Sequence, residues 1–119
     1  EKFSVSPERE KAFDMVRQFY VLVDNHFKEK KMVQDYADML HRSPKTLSNL
    51  FTTCGFPSPL RIIHERIEAE AKRLLLYSQK SAKEITEILG FEDQATFSRF
   101  FKKMTGESVS EYRKREKQE

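Results

Sequence analysis

Two short stretches of this chain carry, at helical spacing, side chains able to read the edges of base pairs. In Gln94-Ala-Thr-Phe-Ser-Arg-Phe-Phe-Lys-Lys103, residues Phe97, Phe100, Phe101 and the following Met104 share one face of a helix. The opposite face keeps Gln94, Ala95, Thr96, Ser98, Arg99, Lys102 and Lys103. In the stretch that begins at Ser43-Pro44, Leu47 and Phe51 point inward, leaving Lys45, Thr46, Ser48, Asn49 and Thr52 outward. The carboxamides of Asn49 and Gln94 can pair bidentately with adenine and the guanidinium of Arg99 with guanine, at ~1–3 kcal/mol each. Ala95 offers a methyl contact to thymine, and Ser48 is short enough to need a bridging water. Arg99 has a second option, because an arginine on phosphate positions a protein without reading sequence. The chemistry is non-covalent recognition of a polyanion.

Such side chains need a rigid mount. Ser81-Ala-Lys-Glu84 forms a capping box that opens a helix in which Ile85, Ile88 and Leu89 make one buried stripe. Gly90 stands where the chain must turn sharply at positive φ, and Asp93 caps the next helix. Two short helices braced across a tight turn are the helix-turn-helix design. The pattern occurs twice. Tyr36, Ala37 and Leu40 fall opposite Ile85, Thr86 and Leu89; Ser43 falls opposite Asp93, with one extra residue in the later turn, and Leu47 to Phe51 opposite Phe97 to Phe101. His41 replaces the turn glycine, and histidine enters left-handed geometry more readily than most residues. Ser43-Pro44 supplies an N-cap followed by a proline at the first helical position.

The remaining segments are supports. Ser6-Pro7 opens a first helix with Phe13, Val16, Phe19, Tyr20, Val23 and Phe27 on its apolar side. Lys28 to Lys31 reads as a solvated connector. Pro57-Ser-Pro59 breaks the chain before a long helix over about 59–77, whose apolar face is Ile63, Ile67, Ala71, Leu74 and Leu75. No strand-like alternation appears anywhere. The expected fold is all-α with about seven helices. A first helix-turn-helix over about 33–54 and a second over about 81–105 are joined by the long helix, and a closing helix covers about 108–117. Residues 1–5 read as the remnant of a linker, and 6–119 as the domain. About 19 residues at 1.5 Å each span ~28 Å, against a ~34 Å recurrence of major grooves on one face of B-DNA. That length suits two recognition helices in successive grooves.

Composition narrows the class. The 119 residues suffice for one modest core. The net charge is +3 and the pI near 9.0, which suits a polyanion but does not identify one. Distribution says more: from His41 to His64 there are Arg42, Lys45 and Arg61, and no acid. No apolar run approaches a membrane span and no signal peptide opens the chain. The single cysteine, Cys54, fits a reducing cytoplasm and reads as a small hydrophobe ending the first recognition helix. His26, His41 and His64 lie far apart, without metal-ligand spacing. Neither a phosphate loop nor a nucleophile–base arrangement is present. The expectation is a protein that is not an enzyme and needs no metal or cofactor.

Arg66-Ile-Glu-Ala-Glu-Ala-Lys-Arg-Leu-Leu75, Ile85, Gly90-Phe91, Phe97-Ser-Arg-Phe-Phe-Lys-Lys103, Thr105-Gly106 and Glu111-Tyr-Arg113 resemble the DNA-binding domain of AraC/XylS-type transcription regulators. The resemblance covers roughly 30–115 and is densest in the second half. Two departures occur: the glycine usual after the first recognition helix stands one place early, at Gly55, and Ile62 replaces a common aromatic. The resemblance implies sequence-specific binding of double-stranded promoter DNA. Its base contacts come from the N-terminal outward positions of each recognition helix, which here are Lys45, Ser48, Asn49, Gln94, Ala95 and Arg99. Phosphate positioning is then expected of Thr46, Thr52, Thr96, Ser98, Lys102 and Lys103, and of the helix N-terminus at Ser81. The resemblance also implies a sensing or dimerisation domain ahead of this one, and contact with RNA polymerase. The competing class is a helical protein-interaction module, which would show exposed aromatic or aliphatic residues on the same faces.

Overall fold

The computed structural model describes residues 6 to 117. Among them are seven helices and no strand: α1 Pro7–His26, α2 Val33–Leu40, α3 Pro44–Thr53, α4 Pro59–Tyr77, α5 Ala82–Ile88, α6 Gln94–Thr105 and α7 Val109–Lys117. The all-α reading with two helix-turn-helix motifs holds. The supposed linker remnant at 1–5 lies outside the described residues. The chain divides into two units between Ile63 and His64, within α4.

In the first unit, the Ser6 side chain accepts from the Arg9 N–H and Pro7 takes the first helical position, which starts α1. Val16, Phe19, Val23 and Phe27 are buried from that helix, together with Ala12, which the apolar pattern passed over. Two residues assigned to that face sit less deeply: Phe13 is half-buried and Tyr20 exposed. Both rings instead pack on Phe56, at 6.1 and 6.4 Å between centroids. Phe19 is the hub of this core, edge-on to Phe51 at 5.1 Å and tilted against Tyr36 at 5.4 Å. Tyr36 is fully buried, and its hydroxyl donates to the Lys30 carbonyl at 2.7 Å, so a polar tip in the core is satisfied. Burial, with Asp35 and Glu29 adding, pushes its pKa up to about 12. Lys31, part of the supposed solvated connector, is half-buried, and its ammonium donates to the Lys28 carbonyl.

In the second unit, Ile67, Ala71, Leu74 and Leu75 of α4 are buried, as are Ile85, Leu89, Phe97, Phe101, Val109 and Tyr112. Phe100 and Met104, placed on the inner face by periodicity, are half-buried. Phe100 is nevertheless held by Phe91 at 5.4 Å and by His64 at 5.3 Å. The α5 capping box forms: Ser81 N–H donates to Glu84 Oε1 at 2.8 Å and Glu84 N–H to Ser81 Oγ at 3.1 Å. An equivalent box starts α7, between Ser108 and Glu111 at 2.8 and 3.0 Å.

Candidate nucleic-acid interface

The two turns are built alike. His41 adopts φ 57° and Gly90 φ 80°. Around each, the same pair of backbone bonds closes the preceding helix: His41 N–H to Asp38 O and Arg42 N–H to Ala37 O in one, Gly90 N–H to Glu87 O and Phe91 N–H to Thr86 O in the other. These are the bonds of a Schellman closure, which needs a left-handed residue at its pivot. They match His41 with Gly90 and Ala37 with Thr86, the pairing that the repeat in the sequence implies.

Each recognition helix then starts from a side-chain cap. Ser43 Oγ accepts from Thr46 N–H at 3.1 Å, and Asp93 Oδ1 from Thr96 N–H at 2.8 Å. The cap fixes the rotational setting of the helix, and so which residues look out. Lys45, Thr46, Ser48, Asn49 and Thr52 are all exposed on α3, above buried Leu47 and Phe51. On α6, Gln94, Ala95, Arg99, Lys102 and Lys103 are exposed, while Thr96 and Ser98 are half-buried. All the nominated residues of α3, and those of α6 other than Thr96 and Ser98, are thus exposed to solvent. No acid lies within α3 or α6.

The early glycine has a local consequence. Gly55 takes φ 78°, with Gly55 N–H to Thr52 O and Phe56 N–H to Phe51 O, and so closes α3 at 10 residues. Gly106, at φ 85°, closes α6 at 12 residues. From matched caps, α6 therefore runs two residues further.

Ser81 fits its assigned role less well. Its N–H is already taken by the Glu84 carboxylate, and its side chain both accepts from Glu84 N–H and helps hold that carboxyl low. The Asp93 carboxyl lies below its usual value because Thr96 donates to it through backbone and side chain, with the charge of Arg99 adding. His64 is held below its ordinary pKa by burial first and by Lys103 second. Lys102 and Lys103 form the basic last turn of α6.

One supporting residue had no role in the sequence reading. The Arg113 guanidinium donates to the carbonyls of Leu75 at 2.9 Å, Ser78 at 3.3 Å and Leu74 at 3.5 Å. It caps the C-terminal end of α4 with charge-assisted bonds and steadies the link that leads into α5. Nothing in local spacing announces a partner 38 residues away.

Large apolar side chains that are exposed, among the described residues, are Tyr20, Val21, Met32, Leu60 and Tyr77; none belongs to α3 or α6. No three His, Cys, Asp or Glu side chains among the described residues come together as a metal site. No described helix is long and apolar enough to cross a membrane.

A family model described as a helix-turn-helix domain matches residues 36–115. The arabinose operon regulatory protein of Salmonella typhimurium is 36% identical over 92 residues, 77% of this chain and 31% of that protein. The raffinose operon transcriptional regulatory protein RafR of Pediococcus pentosaceus is 34% identical over 82 residues, 69% of this chain and 30% of that protein. The chain thus spans about a third of the length of these curated relatives. Among solved structures, the C-terminal domain of AraT, a response regulator from Geobacillus stearothermophilus, superposes with a TM-score of 0.75 at 28% identity, covering 84% of each chain. The family is one of transcription regulators and not of enzymes. On the matched repeat, the two capped recognition helices and these likenesses, the chain belongs to the AraC-type helix-turn-helix family.

Proposed function

We propose that this domain binds double-stranded DNA sequence-specifically, as the output domain of a bacterial transcription regulator. The observation that carries the reading is the pair of acid-free, polar outward faces on α3 and α6, each fixed in register by a side-chain cap and each devoid of large exposed apolar residues. A protein-docking face would expose aromatic or aliphatic anchors there. The base readers are Lys45, Ser48 and Asn49 from α3, and Gln94, Ala95 and Arg99 from α6. Thr46, Thr52, Ser98, Lys102 and Lys103 face the sugar–phosphate backbone, with the helix N-terminus around Ser81 a minor contributor. The 19 residues of α4 span ~28 Å, a length that suits occupation of two successive major grooves by one chain. Any shortfall against the ~34 Å groove repeat is met by bending the DNA, at about 1–6 kcal/mol. In the whole regulator a sensing or dimerisation domain supplies the signal, and the bound domain activates transcription by touching RNA polymerase in the cytoplasm.

The test is selection of bound sequences from random duplexes by the purified domain, at one near-physiological salt. Two short sequence blocks one helical turn apart are the expected result. A single block would remove the two-groove geometry. Salt-sensitive background without enrichment would overturn the reading and favour a protein-interaction module.

A further inference from the structure

Counted from their caps, the two recognition helices repeat one pattern: cap, threonine three residues on, reader six residues on. In α3 these are Ser43, Thr46 and Asn49; in α6 they are Asp93, Thr96 and Arg99. The wiring differs. In α3 the Ser43 hydroxyl donates to Thr46 Oγ1 at 2.9 Å, so the cap engages the threonine oxygen. In α6 the cap is a carboxylate, which has no proton to give and can only accept. The Thr96 oxygen there accepts instead from an Arg99 Nη2 hydrogen, at 3.4 Å.

We infer that Thr96 is a positioning residue for Arg99, and that the chain Asp93–Thr96–Arg99 makes Arg99 a base reader. The inference rests on the DNA-binding reading above. Proton directions are consistent along the whole chain: the guanidinium donates to Thr96 Oγ1, and the Thr96 hydroxyl proton is left for the Asp93 carboxylate. The fixed negative charge of Asp93 draws the cation the same way, as the mutual lowering of its carboxyl pKa by Thr96 and Arg99 reflects. At 3.4 Å the last bond is long, and its value is in direction: it holds a flexible arm toward the N-terminal turn of α6. That turn is the end of a recognition helix that meets base edges. An arm swung the other way joins Lys102 and Lys103, whose chemistry serves phosphate. Holding the arm before binding removes part of the ordering cost that a free arginine carries into the complex. Thr96 then serves specificity through Arg99, and not as a phosphate contact of its own.

The experiment compares Thr96→Val, which keeps the shape and removes the hydroxyl, with Thr96→Ser, which restores it. Each protein is titrated onto its selected site, onto the same site with 7-deazaguanine at the Arg99-dependent position, and onto random duplex. Thr96→Val is expected to cut discrimination at that one position about 3- to 10-fold, with random-duplex affinity and salt slope unchanged. Thr96→Ser is expected to recover it. In the DNA-free protein, relaxation of the Arg99 Nε–H should show greater mobility in Thr96→Val than in Thr96→Ser. A uniform loss on all DNA with a smaller salt slope would overturn the inference by making Thr96 a phosphate contact. Unchanged discrimination and unchanged Arg99 mobility would overturn it by making the bond idle. If the unaltered domain selects no sequence at all, the DNA-reading proposal itself fails, an outcome visible before any variant is made.

Discussion

In the first unit the chain turns between its two motif helices through His41 at φ 57°, and in the second through Gly90 at φ 80°. The backbone bonds around the two pivots are the same, yet one pivot carries a side chain in a region that costs an L-residue ~1–2 kcal/mol. The recognition helices also part in their charge. Recognition helix α3 carries Lys45 as its cation, while α6 carries Arg99, Lys102 and Lys103. They part again in their caps: the Ser43 hydroxyl starts α3, and the Asp93 carboxylate starts α6. A shared backbone frame thus carries two different electrostatic dressings. Recognition helix α6 presents three cations, and α3 one beside the uncharged amide of Asn49.

The comparison can be broken most forcefully in the cores. Phe51 and Phe101 are equivalent, fully buried residues, so Phe51→Ala and Phe101→Ala should each cost ~3–5 kcal/mol. Amide hydrogen exchange should show the first loss concentrated in α1 to α3 and the second in α5 to α7. Equal loss throughout would mean that the units unfold as one.

The next effect is in binding. Arg99→Ala should weaken the selected site by ~1–3 kcal/mol and relax one base preference. Lys102→Ala should weaken all sequences evenly and reduce the salt slope by ~1. One salt titration on selected and random duplexes separates the two, and identical behaviour would undo the division between reader and anchor.

The turns come third and should move in opposite directions. Gly90→Ala places a Cβ at φ 80° and should destabilise by ~1–2 kcal/mol. His41→Gly relieves the same strain, less the added freedom of the unfolded chain, and should stabilise by up to about 1 kcal/mol. Denaturant midpoints with unchanged slopes would read both.

Acid should have the smallest effect, because the caps are exposed, and it should fall on the second unit. The carboxyls of Glu84, Asp93 and Glu111 are all held low, chiefly by backbone N–H groups of Ser81, Thr96 and Ser108. A depressed folded value means stability that is complete above the ordinary carboxylate range of ~4 and lost as pH falls through the folded values. His64 acts with the same sign: the unfolded chain takes up a proton below about pH 6.5 that the half-buried ring, near the charge of Lys103, resists. Serine caps do not titrate. Hydrogen exchange followed from pH 7 to 3 should therefore show protection falling first in α5 to α7, and the reverse order would remove the cap argument.

Most of the frame was legible because the rules behind it are local. A cap bonds three residues ahead, a helical face repeats every three or four, and a left-handed pivot accepts glycine or, here, His41. Those ranges fall within a few residues of sequence, so Ser43, Ser81, Asp93 and Gly90 announced their roles. Exposure of the candidate residues was largely legible too, because outward positions follow from inward ones, although Thr96 and Ser98 are half-buried. Depth of burial was less so. Phe13, Tyr20 and Phe100 lie on apolar stripes, yet their exposure depends on what stands opposite, and Phe56 and His64 supply those partners from elsewhere in the chain.

Helix starts, the doubled motif, the acid-free faces and the absence of strands all belong to the amino-acid order, because neighbours in sequence impose them. Arg113 on the carbonyls of Leu74, Leu75 and Ser78 and the Tyr36 hydroxyl on Lys30 belong to the folded chain. Each depends on side-chain directions that emerge only when helices have packed. A donor's partner is chosen by distance in space, and hydrophobic burial is indifferent to sequence separation.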